Sequence, residues 1–297
     1  VSPMRASSGC VEAEETEETV LLHGERFAYR FNTVTGAFDS LVYAGRELLK
    51  APASFIVWRA PTDNDSRVKD IWKRCGLDRV VPRVYAVDVR REKNGVSLAV
   101  DMALTAVMLR SPVRLSVSWH VDGNGALAMA SDVRVGEWVE CLPRFGLQLE
   151  LDGRMDTAEF FGFGPQESYV DKRAGAAKGQ YIVPVRENGQ PYIRPQETGS
   201  HCGTEWGAVY DRDGAGLFVG SSHAFSFSAL PYTAEELTAA GHDWELPPSE
   251  KTVLCADYKQ AGIGSASCGP DLLEKYRFSD KDFHFSLCLR PFAEKPD

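Results

Sequence analysis

The sequence predicts an all-β protein, one large antiparallel β-sandwich with a few short helices, and three observations carry that prediction. Apolar and polar residues alternate in segment after segment between residues 25 and 290, which is the two-residue period of half-buried strands. Turns rich in glycine, asparagine and aspartate join neighbouring segments, as hairpins require. No Pro/Ser-rich linker divides the run, so one sandwich is expected rather than two domains. At 297 residues the chain is long enough to bury a substantial core. Its 43% hydrophobic and 25% charged residues exclude a disordered, collagenous or coiled-coil chain.

Residues 1–19 are small, polar and acidic, with Glu12, Glu14, Glu15, Glu17 and Glu18 crowded together. Low hydrophobicity and like charge predict a disordered linker or remnant there, with the folded domain spanning 20–297. Phe27, Tyr29 and Phe31 open the alternation. Asp65 is expected to cap a short helix, because Val68, Ile71, Trp72 and Cys75 follow at i, i+3, i+4 and i+7. Asn94-Gly95 separates Val87 and Val89 from Leu98, Val100, Met102 and Leu104. Val113, Leu115, Val117, Trp119 and Val121 alternate with polar residues up to Asp122-Gly-Asn-Gly125, a hairpin turn. Phe145, Leu147, Leu149 and Leu151 repeat the pattern, as do Phe283, Phe285, Leu287 and Leu289. Thr233-Ala-Glu-Glu236 has capping-box spacing for a second short helix, with Gly241 as its stop.

Charge and motif content exclude several functions. Acidic residues number 42 against 33 basic, a net charge of -9, which argues against nucleic acid or an anionic membrane as partner. No run approaches the roughly 18 apolar residues of a transmembrane helix. Seven widely spaced cysteines without a Cys-x-x-Cys pair indicate neither a disulfide framework nor a zinc site, and a reducing cytoplasm fits them best. The six histidines include no His-Glu-x-x-His pattern, and there is no phosphate-binding glycine loop or Gly-x-Ser-x-Gly elbow.

Five irregular segments interrupt the strands and gather polar and aromatic groups, the usual place for function on a rigid frame. They are Arg59 to Asp65, Leu142 to Arg144, Gly162 to Tyr169 with Asp171, Arg194 to His201, and Asp257 to Pro270. In this order they resemble the C-terminal domain of the glycoside hydrolase family 2 β-galactosidases, over about Phe27 to Phe292. The family's Arg-Ala-Pro-x-Asp-Asn-Asp is met by Arg59 to Asp65, and its Gly-Pro-x-Glu-x-Tyr by Gly164 to Tyr169. Its Pro-x-Glu-x-Gly is met by Pro195 to Gly199, and its Tyr-Thr-x-Glu-x-Leu by Tyr232 to Leu237.

The resemblance implies a supersandwich of the galactose-mutarotase-like type and a parent enzyme that hydrolyses terminal β-D-galactosides such as lactose. A retaining glycosidase needs two carboxyl groups about 5–5.5 Å apart. The family carries both glutamates, and its magnesium ligands, on a preceding (β/α)8 barrel, for which this chain has no strand-helix repeat. No catalytic residue, metal site or cofactor is therefore expected here, while the parent would use magnesium and a monovalent cation. The expected partners are a galactoside together with the preceding domains, and a further copy in a homo-oligomer.

By the same resemblance, Cys268 falls where many relatives place a tryptophan forming one wall of the galactose site, in a Ser267-Cys-Gly-Pro270 context. The competing reading is a small apolar residue in a glycine loop. Asp63, Asn64 and Asp65 would lie near the active-site mouth; a metal role for them is disfavoured because the EF-hand glycine and distal glutamate are missing. Arg59 is expected to hold buried carbonyls or a carboxylate rather than sugar. Gln166 and Glu167 are read as sugar contacts or as supports of Arg144 or a loop amide. Glu197 and His201 could imitate an epimerase acid/base pair. Trp119, Trp138, Trp206, Trp244 and Phe160 to Phe163 are core and loop anchors or, in the second reading, a sugar platform. Two alternatives stay open: a stand-alone carbohydrate-binding module and an aldose epimerase.

Overall fold

Alternation becomes architecture in a computed structural model that describes residues 9–266 and 268–295. A five-stranded antiparallel sheet runs in order β1 (Glu12–Glu15), β2 (Thr19–His23), β3 (Phe27–Asn32), β4 (Ala37–Tyr43) and β5 (Arg46–Glu47). The second sheet is larger and branched. It contains β6 (Ser54–Ile56), β7 (Val81–Glu92), β8 (Gly95–Thr105), β9 (Val113–Asp122), β10 (Leu127–Val135) and β11 (Arg144–Asp152). To these it adds β12 (Thr157–Gly164), β13 (Ala177–Pro184), β14 (His201–Tyr210), β15 (Gly216–Leu230), β16 (Lys251–Gln260) and β17 (Asp282–Phe292).

The branch is made by one long strand. Gly216 to Gly220 of β15 pair with β17, whereas Ser226 to Leu230 pair with β16. One arm continues through β17, β10, β9 and β8 to β7; the other runs through β16 and β11 to β6. The small sheet packs its inner face on the large one, with Phe38 edge-on to Trp119 at 5.3 Å. Across the same seam Tyr29 donates its hydroxyl to the Gly125 carbonyl at 2.7 Å. Phe31, Leu98, Val117, Leu147, Phe227 and Leu287 join one continuous core.

Three expectations meet corrections or limits here. The stretch read as linker contains β1, paired with β2 from Glu12↔His23 to Glu15↔Val20. Its charge is tolerated because the strand is an edge, Val11 is buried, and Glu15 pairs with Arg91 of β7 at 2.8 Å. Asp65 does not cap the first helix, α1 (Val68–Arg74), whose N-cap is Arg67 without a side-chain bond. Asp65 instead sits in a preceding 3-10 turn, Asp63–Ser66, and accepts the Thr62 amide at 2.9 Å. Ser267 lies outside the described residues. The second helix, α2 (Ala234–Ala239), begins at Thr233, which accepts from the Glu236 amide while Glu236 accepts from the Thr233 amide.

Register fixes what meets at one end of the sandwich. The C-terminal ends of β8, β10 and β16 and the starts of β9, β11 and β17 lie there, since Leu104 pairs with Val113, Arg134 with Asp282 and Arg144 with Gln260. The segments 59–80, 105–112, 136–143 and 261–281 therefore share this end, and three of the five irregular segments, 59–65, 142–144 and 257–270, fall in or run into them.

Candidate functional site

Two arginines hold this end together from inside. Arg59 is fully buried. Its Nε and Nη2 donate to the Asp65 carboxylate at 3.2 and 2.8 Å, and its guanidinium lies over the Trp72 ring at 5.2 Å. It also donates to the Ala261 carbonyl and, at 3.1 Å, to that of Gly262. The planar guanidinium suits such a site because its donors are fixed in direction. One side chain thus ties the 59–65 motif to the 261–270 loop across some two hundred residues of sequence.

Arg144 is the second tie. Nε and Nη2 donate to Asp257 at 3.1 and 2.6 Å, a two-pronged pair across β11 and β16. Glu197 stands 3.6 Å from Nη1, and its other oxygen accepts from Tyr169 at 3.4 Å. Burial opposes the Arg144 charge, but Asp257, Cys255 and Glu197 outweigh it and hold the guanidinium protonated well above its ordinary range. Burial pushes the Glu197 carboxyl up, against the pull of Arg144 and Arg59. Gly146 is required beside this pair, because a Cβ there would run into the Asp257 carboxylate.

Glu167 holds the neighbouring loop. It accepts from Lys172 at 2.7 Å, Tyr192 at 3.0 Å, Thr198 at 2.8 Å and the Gly199 amide at 2.9 Å. Burial raises its carboxyl, but these donors more than offset it and hold the group below its usual range. Gln166 is exposed and meets only Gln190 among the described side chains, at 3.3 Å. His201 is buried, stacked on Phe160 at 3.9 Å, with Nε2 2.7 Å from the Asn188 side-chain oxygen and Nδ1 3.2 Å from the Phe163 carbonyl. Burial depresses its pKa to about 4. Both nitrogens face oxygen acceptors, so the neutral ring can donate to only one of them, and its burial against Phe160 keeps it from solvent and from a proton relay.

Above this frame the chain opens. Asn64 donates to the Ile263 carbonyl at 2.6 Å, and Asp171 accepts the amides of Ile263 and Gly264 at 3.0 and 2.8 Å. Beyond these clamps the loop turns outward: Ala266 has φ +78°, and Cys268 is exposed. A Cβ on Gly269 would meet nothing within 4 Å. A cavity of about 230 Å³ lies between this loop and α1, lined by Asn64, Arg67, Trp72, Cys141, Ala266 and Asp271 among others. Asp63, next to the lining residue Asn64, is exposed and joined to Gln196, whose side-chain oxygen accepts the Asp63 amide at 3.2 Å.

The structure thus gathers Arg59, Asn64, Asp65, Arg144 and Glu197 into one end and leaves Cys268 exposed above them. His201 and Gln166 lie off that line, and His201 and Glu197 serve different partners. Asp171 and Asp257 appeared in the sequence only as members of irregular segments without a role of their own, and Gly146 was not singled out at all. Asp257 had a signal, as a carboxylate ending the buried run Thr252 to Ala256. Asp171 and Gly146 act only through contacts far away in sequence. Of the aromatics, Trp119 is core, whereas Trp138 and Trp244 are exposed. Among the described residues no three His, Cys, Asp or Glu side chains converge as a metal-holding group, and no helix is long and apolar enough to cross a membrane.

The arrangement is that of a β-sandwich that presents a shaped edge and keeps the carboxylates of its frame locked inside. A family described as the β-galactosidase small chain matches residues 23–289, and the chain belongs to that family. It is 36% identical over 278 residues to a β-galactosidase of Actinobacillus pleuropneumoniae, covering 94% of this chain and 27% of that protein. To a β-galactosidase of Staphylococcus xylosus it is 34% identical over 267 residues, covering 90% of this chain and 27% of the relative. The chain therefore spans about a quarter of the length of these curated relatives. Among solved structures it is similar to a putative aldose 1-epimerase of Escherichia coli K12, at 9% identity and a TM-score of 0.48, covering 96% of this chain and 99% of that one.

Proposed function

We propose that this chain is the C-terminal sandwich domain of a cytoplasmic family 2 β-galactosidase that hydrolyses terminal β-D-galactosides such as lactose with retention. The observation that carries this reading is the contrast within one end of the molecule, in a chain of the β-galactosidase small-chain family. Asp65, Asp257 and Glu197 are buried and committed to arginines, while the Cys268 loop above them is open. A retaining glycosidase needs a nucleophile and an acid/base facing the sugar, and those carboxylates are turned to the frame instead. The catalytic glutamates, the magnesium ion and the monovalent cation then belong to the rest of the enzyme, and no step is routed through a metal here. Cys268, Ser267 and the Asp63–Asp65 turn supply one wall of the galactoside site. The whole enzyme works as a homo-oligomer.

Calorimetry of the purified chain tests the reading. A single wall loses most of the contacts that orient galactose, so the expected dissociation constant is millimolar or weaker, about -4 kcal/mol at most. Micromolar binding of galactose or lactose would favour a stand-alone carbohydrate-binding module. Catalysed interconversion of the galactose anomers by the chain would favour the epimerase, a reading that the buried and neutral His201 does not support.

A further inference from the structure

The end of the sandwich that carries the candidate site also carries an unusual exposed tip. The β8–β9 loop raises Val107 and Met108 into solvent, 78% and 96% exposed, with Leu109 at its base. Met108 has φ +65°, a left-handed conformation that residues with a Cβ disfavour, so the loop is held in shape rather than slack. The hold is visible: Gly76, the residue after Cys75 at the end of α1, would place a Cβ 2.6 Å from Ala106 and 2.8 Å from Leu109. Nearby on the same end are exposed Val81 and Trp138, joined through Val81↔Thr105 pairing and the Gly136 amide on the Pro112 carbonyl at 2.9 Å. Scattered exposed apolar residues need no explanation, but a held apolar tip with apolar neighbours marks an interaction surface.

Charge says what kind of surface fits it. In a chain of net charge -9, the adjoining residues 67–83 hold Lys69, Lys73, Arg74 and Arg83 besides Arg67 and Arg79, which pair with Asp271 and Asp78; the acidic groups facing them on this end are Asp70 and, beside Trp138, Glu137 and Glu140. Arg110 follows directly on the tip. A partner for this face presents an apolar pocket with an acidic rim. The relatives supply the candidate: nearly three quarters of their length lies outside the region matched here.

We propose that the Val107–Met108–Leu109 tip is the anchor by which this chain docks onto the remainder of a β-galactosidase, seated in an apolar pocket flanked by acidic side chains. The proposal rests on the functional reading above and adds the partner surface to it. It also explains why the tip stands beside α1, one wall of the cavity: docking here would bring the partner against the site end and no other.

The test uses the assembled β-galactosidase that contains this chain, with a benzophenone amino acid at position 108. Light should cross-link position 108 to residues outside 1–297, in a peptide with apolar residues flanked by Asp or Glu. Met108→Asp should shorten the half-life of activity on mild heating at least tenfold, whereas Ile182→Asp, an exposed apolar position on the distant β13, should leave it unchanged. If the assembly is active but position 108 cross-links only within this chain, or to a second copy of it, the anchor is overturned while the functional reading stands. Equal half-lives for the Met108 and Ile182 variants would overturn it too. If no galactosidase activity accompanies the chain, the reading fails and the anchor with it.

Discussion

Arg59 and Arg144 lie buried with their donors aimed at fixed oxygens, whereas Cys268, on the loop that Arg59 holds at its base, stands exposed beside a glycine with open space around it. The two regions are built from neighbouring motifs and differ in every physical respect. The inner one is charged, dry and paired; the outer one is small, partly apolar and open. Paired charges in a dry interior are strongly destabilising to break, while they add little net stability over an apolar replacement. Their value at this end is geometric: they fix where the outer loop begins. The charged residues of the motifs therefore serve position; under the proposed function, contact with a ligand belongs to the loop they position.

Breaking the inner region should have the largest effect. Arg144→Met leaves Asp257 and Glu197 without their cation, and removing one partner of a buried ion pair costs about 3–5 kcal/mol. Urea denaturation should show that loss, and Arg144→Met combined with Asp257→Leu should recover part of it. An Arg144→Met protein with an unchanged urea midpoint would mean the pair does not hold β11 to β16.

The His201 ring gives the comparison a pH axis. Its native pKa is depressed to about 4, below the ordinary value of about 6.5. Between those two values the unfolded chain binds the proton and the native one does not, so stability rises as pH rises from about 4 to about 6.5. The depression is worth about 3 kcal/mol. His201→Gln should flatten that part of the stability curve, whatever it does to absolute stability.

Gly146→Ala sharpens the same contrast at one atom. The added Cβ must displace Asp257 from Arg144, and overpacking of this kind costs about 1–3 kcal/mol. Gly269→Ala, in the open outer loop, should cost no more than about 0.5 kcal/mol. A comparison of the two melting temperatures reads the difference directly.

Much of the fold was legible because alternation is local. The strands around Phe27, Val113, Phe145 and Phe283 needed only their own sequence, as did the Asp122–Gly125 turn, whose Asp122 carboxylate accepts the amides of Asn124 and Ala126. β1 was not legible, since a run of glutamates looks like a solvated tail until Arg91 is brought beside Glu15 from a strand seventy residues on. The role of Asp65 was hidden for a related reason. Next to a helix it reads as a cap, and only the buried Arg59 reveals the stronger claim on its carboxylate. The site followed the same division. Its motif residues were visible as interruptions of a pattern, but Asp257, Asp171 and Gly146 act through partners that only the sandwich brings near.

A bulk change at Cys268 should have the smallest effect on the fold and a selective one on function. In the assembled enzyme, Cys268→Trp adds a large flat surface to the outer loop, so KM for lactose or an aryl galactoside should shift while kcat stays nearly unchanged. The melting temperature should not move. Unchanged constants in both Cys268→Trp and Cys268→Ala would make this cysteine a bystander.

Under the proposed function this chain positions and shapes but does not cleave. Hydrolysis of a chromogenic β-galactoside by the purified chain, followed across the elution profile, tests it most directly. The account predicts turnover no higher than buffer from a folded protein with a β-rich circular dichroism spectrum. Turnover that follows the chain through purification and is abolished by Glu197→Gln would contradict it.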